Sequence, residues 1–205
     1  MSRRRFVLAT GNPGKAAEID ALLAAAGVEV VPQSAFGLAP AGEHGTTFVE
    51  NAIAKARHAA RGSGLPALAD DSGLVVDALG GDPGVRSSRY AGPEANDAAN
   101  NARLLKALEG VAPGERSARF VCVVVLMRHP GDPLPVVCEG VWEGTILPAP
   151  RGSGGFGYDP LFGPAECPGS AAELERAEKN RLSHRGRAFA LLIERLAGAR
   201  AYHPD

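Results

Sequence analysis

What most constrains the fold of this chain is the order of its apolar runs. Phe6-Val7-Leu8-Ala9 is a short buried-strand pattern, ended by Thr10-Gly11-Asn12-Pro13-Gly14-Lys15. Ile19, Leu22, Leu23 and Ala26 then recur at helical spacing, and a second strand pattern covers Val28 to Val31. Asn12 suits the N-cap of that helix, Pro13 its first position and Gly27 the residue past its end, so the opening unit reads strand, turn, helix, strand. A longer helix is expected over Phe48 to Ala60, with Phe48, Ala52, Ile53 and Ala56 inward, and another over Pro93 to Leu108. Ala67-Leu68-Ala69 reads as a strand running into an acidic turn, Asp70-Asp71-Ser72-Gly73, with Leu74-Val75-Val76 apolar beyond it. Ala118 to Arg128 and Val136 to Leu147 read as two long strands joined by the Pro/Gly-rich turn His129 to Pro135, an antiparallel hairpin. The last helix covers Arg187 to Leu196, with Phe189, Leu192, Ile193 and Leu196 as its buried stripe. Alternating strands and helices followed by a hairpin argue for an α/β fold, a mixed β-sheet flanked by helices.

Composition bounds the function. Glycine and proline are frequent, at 26 and 16 of 205 residues, but 45% of the chain is hydrophobic, enough for a core, and a single domain over residues 1–205 is expected. With 22 basic and 23 acidic residues the formal charge is −1, which excludes a globally basic nucleic-acid binder, so an anionic ligand must meet a local arrangement. Cys122, Cys138 and Cys167 form no CxxC pair and read as reduced thiols with packing roles. Behind the basic run Met1-Ser2-Arg3-Arg4-Arg5 the apolar stretch is too short for a signal-peptide core, and the longest apolar run, Phe120 to Met127, falls far below a membrane span. A soluble cytoplasmic protein is expected, with neither nucleic acid nor membrane as partner.

Four segments carry side chains suited to chemistry. Thr10 to Lys15 is a glycine-rich turn from a strand into a helix N-terminus, where free N–H groups and the helix dipole favour a phosphate and a lysine adds charge. It is not a Walker loop: only Asn12 and Pro13 separate Gly11 from Gly14, and Ala16 follows Lys15 where a magnesium-binding Ser or Thr would stand. The same turn serves equally as an ordinary capped helix start. Asp70-Asp71-Ser72-Gly73, with Glu43 and Glu50 upstream, offers oxygen ligands for a hard cation, though such a turn is also a common solvated loop. Gly152 to Pro160 sets four glycines around Phe156 and Tyr158, which lets backbone approach a flat ligand while a ring stacks on it; a bulged loop with packed aromatics is the plainer alternative. Glu178 to Arg187 is a dense polar stretch opening the final helix, and as a solvated helix start it needs no function.

Taken in order, TGNPGK, TTFVENAIAKA, ADDSGL with GGDPGVRSSRYAG, GFGYDPLF and EKNRLSHRG resemble the inosine triphosphate pyrophosphatase family and, within it, the bacterial members that act on dITP and XTP. The resemblance runs from about Phe6 to Leu196. It implies two lobes around a central nucleotide cleft, a magnesium cofactor, a homodimer and a purine nucleoside triphosphate as substrate. Thr10, Gly11, Asn12, Pro13, Gly14 and Lys15 match the triphosphate loop, Asp71 the proton acceptor and metal ligand, Glu43 (with Glu50 as rival) the second metal carboxylate, and Ser72 a substrate contact. Phe156, Gly157, Tyr158 and Asp159 match the base-binding segment, and Lys179, His184 and Arg185 the remaining nucleotide contacts.

The implied reaction is hydrolysis to monophosphate and pyrophosphate, with Lys15 and the loop N–H groups holding the phosphate chain and Asp71 orienting or deprotonating the attacking water. His184 and Arg185 offer donors that a 6-oxygen accepts, whereas the 6-amine of adenine would leave a buried donor unpaired, at about 1 to 3 kcal/mol per group. A nucleotide-binding module without turnover would use the same loop and aromatic slot, and a hydrolase releasing single phosphates would differ only in its product.

Overall fold

A computed structural model describes residues 4–24 and 26–198; the basic start Met1-Ser2-Arg3 lies outside them. Six strands form one sheet in the order β2-β1-β3-β4-β5-β6. They are β1 (Arg4–Leu8), β2 (Val28–Pro32), β3 (Ala67–Val76), β4 (Ser117–Met127), β5 (Val136–Ile146) and β6 (Phe162–Pro164). Among the described residues five α-helices accompany them: α1 (Pro13–Ala24), α2 (Phe48–Ser63), α3 (Asp97–Ala107), α4 (Arg176–Leu182) and α5 (His184–Gly198). The sheet is mixed. β1 runs parallel to β2, with Phe6 opposite Val30, and parallel to β3, with Leu8 opposite Leu68, while β5 and β6 are antiparallel.

The opening unit forms as its spacing predicts. The Asn12 side chain accepts from the Lys15 N–H at 3.0 Å and so caps α1, Ile19 and Leu23 are buried, and Gly27 takes the left-handed φ of +68° that ends the segment. Ala26 is exposed in the turn beyond α1 rather than on its apolar stripe. α2 continues to Ser63, three residues past its expected end, and stops at Gly64 in the left-handed conformation. α3 begins at Asp97, not Pro93, because the Asn96 side chain accepts from the Ala99 N–H and caps it there.

Two differences bear on function. Asp70 to Gly73 is not a turn: β3 runs through it unbroken, so consecutive side chains alternate between the two faces of the sheet. The polar stretch 178–187 does not open one helix. It ends α4 and begins α5, with Ser183 in an extended conformation (φ −66°, ψ 159°) between them.

The chain divides into two compact units, each with its own core. The first takes in the chain up to Asp71, Cys122–Gly140 and the chain from Arg185 onward; its core gathers Leu8, Ile19, Leu23, Leu68, Val124, Phe189 and Leu192. The second comprises Ser72–Val121 and Val141–His184, around Leu74, Leu104, Phe120, Trp142, Tyr158 and Phe162. Cys122 and Cys138 are buried in the first core and Cys167 is half-buried; all three are free thiols, and burial pushes those of Cys138 and Cys167 above the ordinary value.

Candidate active site

In the first unit the parallel register of β1 and β3 sets the geometry. Leu8 lies opposite Leu68, so Thr10 to Lys15, which follows β1, and the pair Asp70-Asp71, within β3 just past that register, come at the same end of β1, where ligands of parallel sheets collect. The turn is held locally: the Asn12 N–H donates to Thr10 Oγ1 at 3.2 Å, and the Ala16 N–H donates to the Asn12 carbonyl at 3.0 Å. Gly11, Asn12 and Pro13 are exposed, and Gly14 and Lys15 are half-buried.

Alternation along β3 sends the two aspartates to different partners. Asp70, fully buried on the face of Leu68, accepts from Lys15 Nζ at 3.0 Å and lies 3.7 Å from Arg185 Nη2; Arg185 also pairs with Glu18. Asp71 accepts from Lys55 Nζ at 2.6 Å and from Asn51 Nδ2 at 3.2 Å. Glu43 reaches the same Lys55 ammonium at 2.6 Å. Two carboxylates from distant segments thus converge on one cation. Burial raises the Asp71 carboxyl above the ordinary aspartate value against the opposing charge of Lys55. For Lys55 burial works the other way, and the two carboxylates outweigh it and hold the ammonium above its usual range.

Glu50, the rival ligand, is occupied elsewhere. Its carboxylate accepts from the backbone N–H and hydroxyl groups of both Thr46 and Thr47, at 2.9 to 3.1 Å, and with Thr47 it closes a capping box at the start of α2. Those hydrogen bonds also lower its pKa. The Thr47-Phe48-Val49-Glu50 spacing was a visible sign of this role. Asn51 and Lys55 are the residues that motif reading missed. They stand one turn apart on α2, a spacing that shares a helix face, and Asn51 Oδ1 also accepts the Gly45 N–H at 2.8 Å, tying the loop that carries Glu43 to the strand that carries Asp71.

The second unit assembles the other set. Asp159 Oδ2 accepts from the Phe156 N–H at 2.8 Å and from Lys179 Nζ at 2.6 Å, and that ammonium lies 5.0 Å from the centre of the half-buried Phe156 ring. Gly155 has φ +71°, and a Cβ there would strike the Asp159 carboxylate. Tyr158 is buried and donates its hydroxyl to the Ser87 carbonyl at 2.8 Å; burial pushes its pKa up. His184 is buried and stacks on Phe120, ring centres 4.7 Å apart and planes 11° apart. Ser72 is half-buried beside Leu74 in the same unit.

The structure therefore brings together Lys15, Asp70 and Arg185 in one group, Glu43, Asp71 and Lys55 in a second, and Phe156, Asp159 and Lys179 in a third. At the start of α5, His184 stacks on Phe120, and Arg185 pairs with Glu18 and lies near Asp70.

Paired carboxylates near a strand-to-helix glycine turn are the equipment of an enzyme that hydrolyses phosphoanhydrides. The chain belongs to the Ham1 family, whose sequence model matches residues 6–195. It is 57% identical over 194 residues to a dITP/XTP pyrophosphatase of Thioalkalivibrio sulfidiphilus, covering 95% of this chain and 99% of that protein. Against the dITP/XTP pyrophosphatase of Methylococcus capsulatus the identity is 58%, over 95% and 96% of the two chains. Among solved structures, a HAM1 protein from Coxiella burnetii superposes with a TM-score of 0.89 at 51% identity, over 95% of this chain and 99% of the other. These relatives agree with the resemblance drawn from the five motifs.

Proposed function

We infer that the protein is a nucleoside triphosphate pyrophosphatase that converts non-canonical purine nucleotides such as dITP, ITP and XTP to the monophosphate and pyrophosphate. The observation that carries the reading is the convergence of Glu43 and Asp71 on one cation at the end of the sheet where the glycine turn lies. Among the described residues no three His, Cys, Asp or Glu side chains gather as a metal cage, so the fitting arrangement is two carboxylates completed by water and substrate phosphate. The donor set suits magnesium: both are hard oxygen ligands, and both already face a positive charge. Glu43 and Asp71 would hold the ion, which when bound supplies neutralisation of phosphate charge.

In this reading the N-terminus of α1 receives phosphate oxygens on its N–H groups. Lys15 adds a charge, since an ammonium has three N–H donors and Asp70 takes one. Asp71 accepts the proton of the attacking water. Asn51 and Lys55 fix the orientation of the Asp71 carboxylate for that transfer. Phe156 stacks on the purine, Ser72, Tyr158, Asp159 and Lys179 complete the nucleotide contacts, and His184 and Arg185 read the 6-oxygen. A homodimer in the cytoplasm belongs to the same proposal and is checked by light scattering and by cell fractionation; no helix among the described residues is long and apolar enough to cross a membrane.

The test is an assay of purified protein with dITP, XTP, ITP and dATP, with and without magnesium, reading pyrophosphate and orthophosphate separately. Pyrophosphate from dITP and little from dATP is expected. Absence of dITP turnover would leave only a nucleotide-binding module, and orthophosphate as the product would replace the proposed reaction.

A further inference from the structure

Gly157 lies between the Phe156 ring and the buried Tyr158, with φ +64°, a left-handed turn that sends the two aromatic side chains to different surroundings. Its peptide groups do not bond within the loop. The Gly157 N–H donates to Asp97 Oδ2 at 2.6 Å, and the Gly157 carbonyl accepts from Asn101 Nδ2 at 2.8 Å. Asp97 and Asn101 stand four residues apart on the first turns of α3, hence on one face, and the Asn101 amide is itself steadied by a 2.8 Å bond to the Asp97 carbonyl. A further bond joins α3 to its surroundings in this unit: Asn100 Nδ2 donates to the Ser88 carbonyl at 3.1 Å, next to the Ser87 carbonyl that holds the Tyr158 hydroxyl.

We propose that Asp97 and Asn101 are positioning residues: as a two-point clamp on both polar groups of Gly157, they fix the aromatic turn that receives the purine. The inference rests on the reading of Phe156 to Asp159 as the base-binding segment. The reasoning is geometric. A glycine in the left-handed region has more conformational freedom than any other residue, so the turn holds one shape only if outside groups impose it. Asp97 supplies a charged acceptor and Asn101 a donor, so neither can replace the other. Asp159 holds the start of the turn, taking the Phe156 N–H on its carboxylate and donating its own N–H to the Phe156 carbonyl at 3.3 Å, and Lys179 bonds that carboxylate, but the N–H and carbonyl of Gly157 itself are taken by α3. Both α3 residues and Gly157 belong to the second unit, and Glu43 and Asp71 to the first, so the clamp is assigned to base recognition and not to the chemical step.

The experiment compares Asp97→Ala, Asp97→Asn, Asn101→Asp and Phe156→Ala in the full chain, with KM and kcat for dITP and inhibition by inorganic tripolyphosphate, a probe that lacks a base. Asp97→Ala and Asn101→Asp are expected to raise KM for dITP about tenfold with kcat held within about twofold, since a lost charge-assisted bond and a carboxylate set against a carbonyl act on binding. Asp97→Asn keeps an acceptor oxygen and recovers most of the loss. Tripolyphosphate inhibition stays as in the parent protein. If Asp97→Ala does not fold, because it also removes an acidic group from the first turn of α3, Asn101→Asp decides alone. An unchanged KM in the α3 variants, no recovery in Asp97→Asn, or an equal loss of tripolyphosphate affinity overturns the clamp. If Phe156→Ala itself leaves KM unchanged, the base-binding reading fails and this inference with it. A raised KM in Phe156→Ala alone removes only the clamp.

Discussion

The two compact units gather different chemistry. The first is a web of charge: Lys15 with Asp70, Arg185 with Asp70 and Glu18, and Lys55 with Asp71 and Glu43. The second is aromatic, with Phe120 packed on Phe162 and on His184, Trp142 on Phe162, and the buried ion pair of Lys179 with Asp159 beside the Phe156 ring. Only 5% of the chain is aromatic, and four of those few rings, Phe120, Trp142, Tyr158 and Phe162, lie in the second core. Groups that match a polyanion and groups that match a flat, weakly polar base are thus segregated within one polypeptide. Rate and base preference should therefore respond to different mutations.

The sharpest way to break that comparison is Asp71→Asn. Loss of the proton acceptor should lower kcat for pyrophosphate release about 10²- to 10⁴-fold while nucleotide binding, read by calorimetry, holds. An unchanged rate would remove Asp71 from the chemistry. Phe156→Ala, in the other unit, should instead raise KM for dITP about 5- to 150-fold, the equivalent of one base–aromatic stack, with a smaller effect on kcat. If both variants shift the same parameter, the separation of roles is wrong.

Lys55→Met tests the cation that the two acids share. With the ammonium gone, Glu43 and Asp71 face each other, and the metal-free protein should lose about 3 to 5 kcal/mol in chemical denaturation. Added magnesium should restore stability more strongly than in the parent protein. Equal magnesium stabilisation of the two proteins would show that the carboxylates do not hold a cation in its place.

The smallest effect is confined to stability. Buried Asp132 accepts from the Arg128 backbone N–H at 3.0 Å and its guanidinium at 2.5 Å, and from the Leu134 N–H at 3.0 Å; the Arg128 hydrogen bonds hold its pKa well below the ordinary range. Asp132→Ala should cost about 1 to 3 kcal/mol and leave kcat alone. A carboxylate with a lowered folded pKa contributes fully above its unfolded value of about 4, and that contribution fades as pH falls toward the folded value. The gap between parent and variant should accordingly narrow below about pH 4 in denaturation curves.

Much of the first unit could be read from periodicity. The α1 cap at Asn12, the buried Ile19 and Leu23, and the stripe from Phe189 to Leu196 all formed where spacing placed them, because local preference and burial agree there. Asp70 to Gly73 misled because four residues with strong turn preference lie inside a strand. Membership of the sheet fixes the extended backbone, and Lys15, Lys55 and Asn51 bond the acids, and neither fact is local in sequence. Lys55 escaped notice for a related reason: a lone lysine on an amphipathic helix looks like a solvated face until the strand beneath it is known. Ser183 breaks α4 from α5 without a Gly or Pro to signal it.

The pleat of β3 has a last consequence. Two identical side chains, joined by one peptide bond, are sent to opposite faces and so to unlike partners: Asp70 takes Lys15 with Arg185 close by, and Asp71 takes Lys55. Loss of either would silence an activity assay. Melting curves would tell them apart, because a neutral residue at 70 takes a fully buried charge away from Lys15 and Arg185, whereas one at 71 leaves Lys55 its pairing with Glu43.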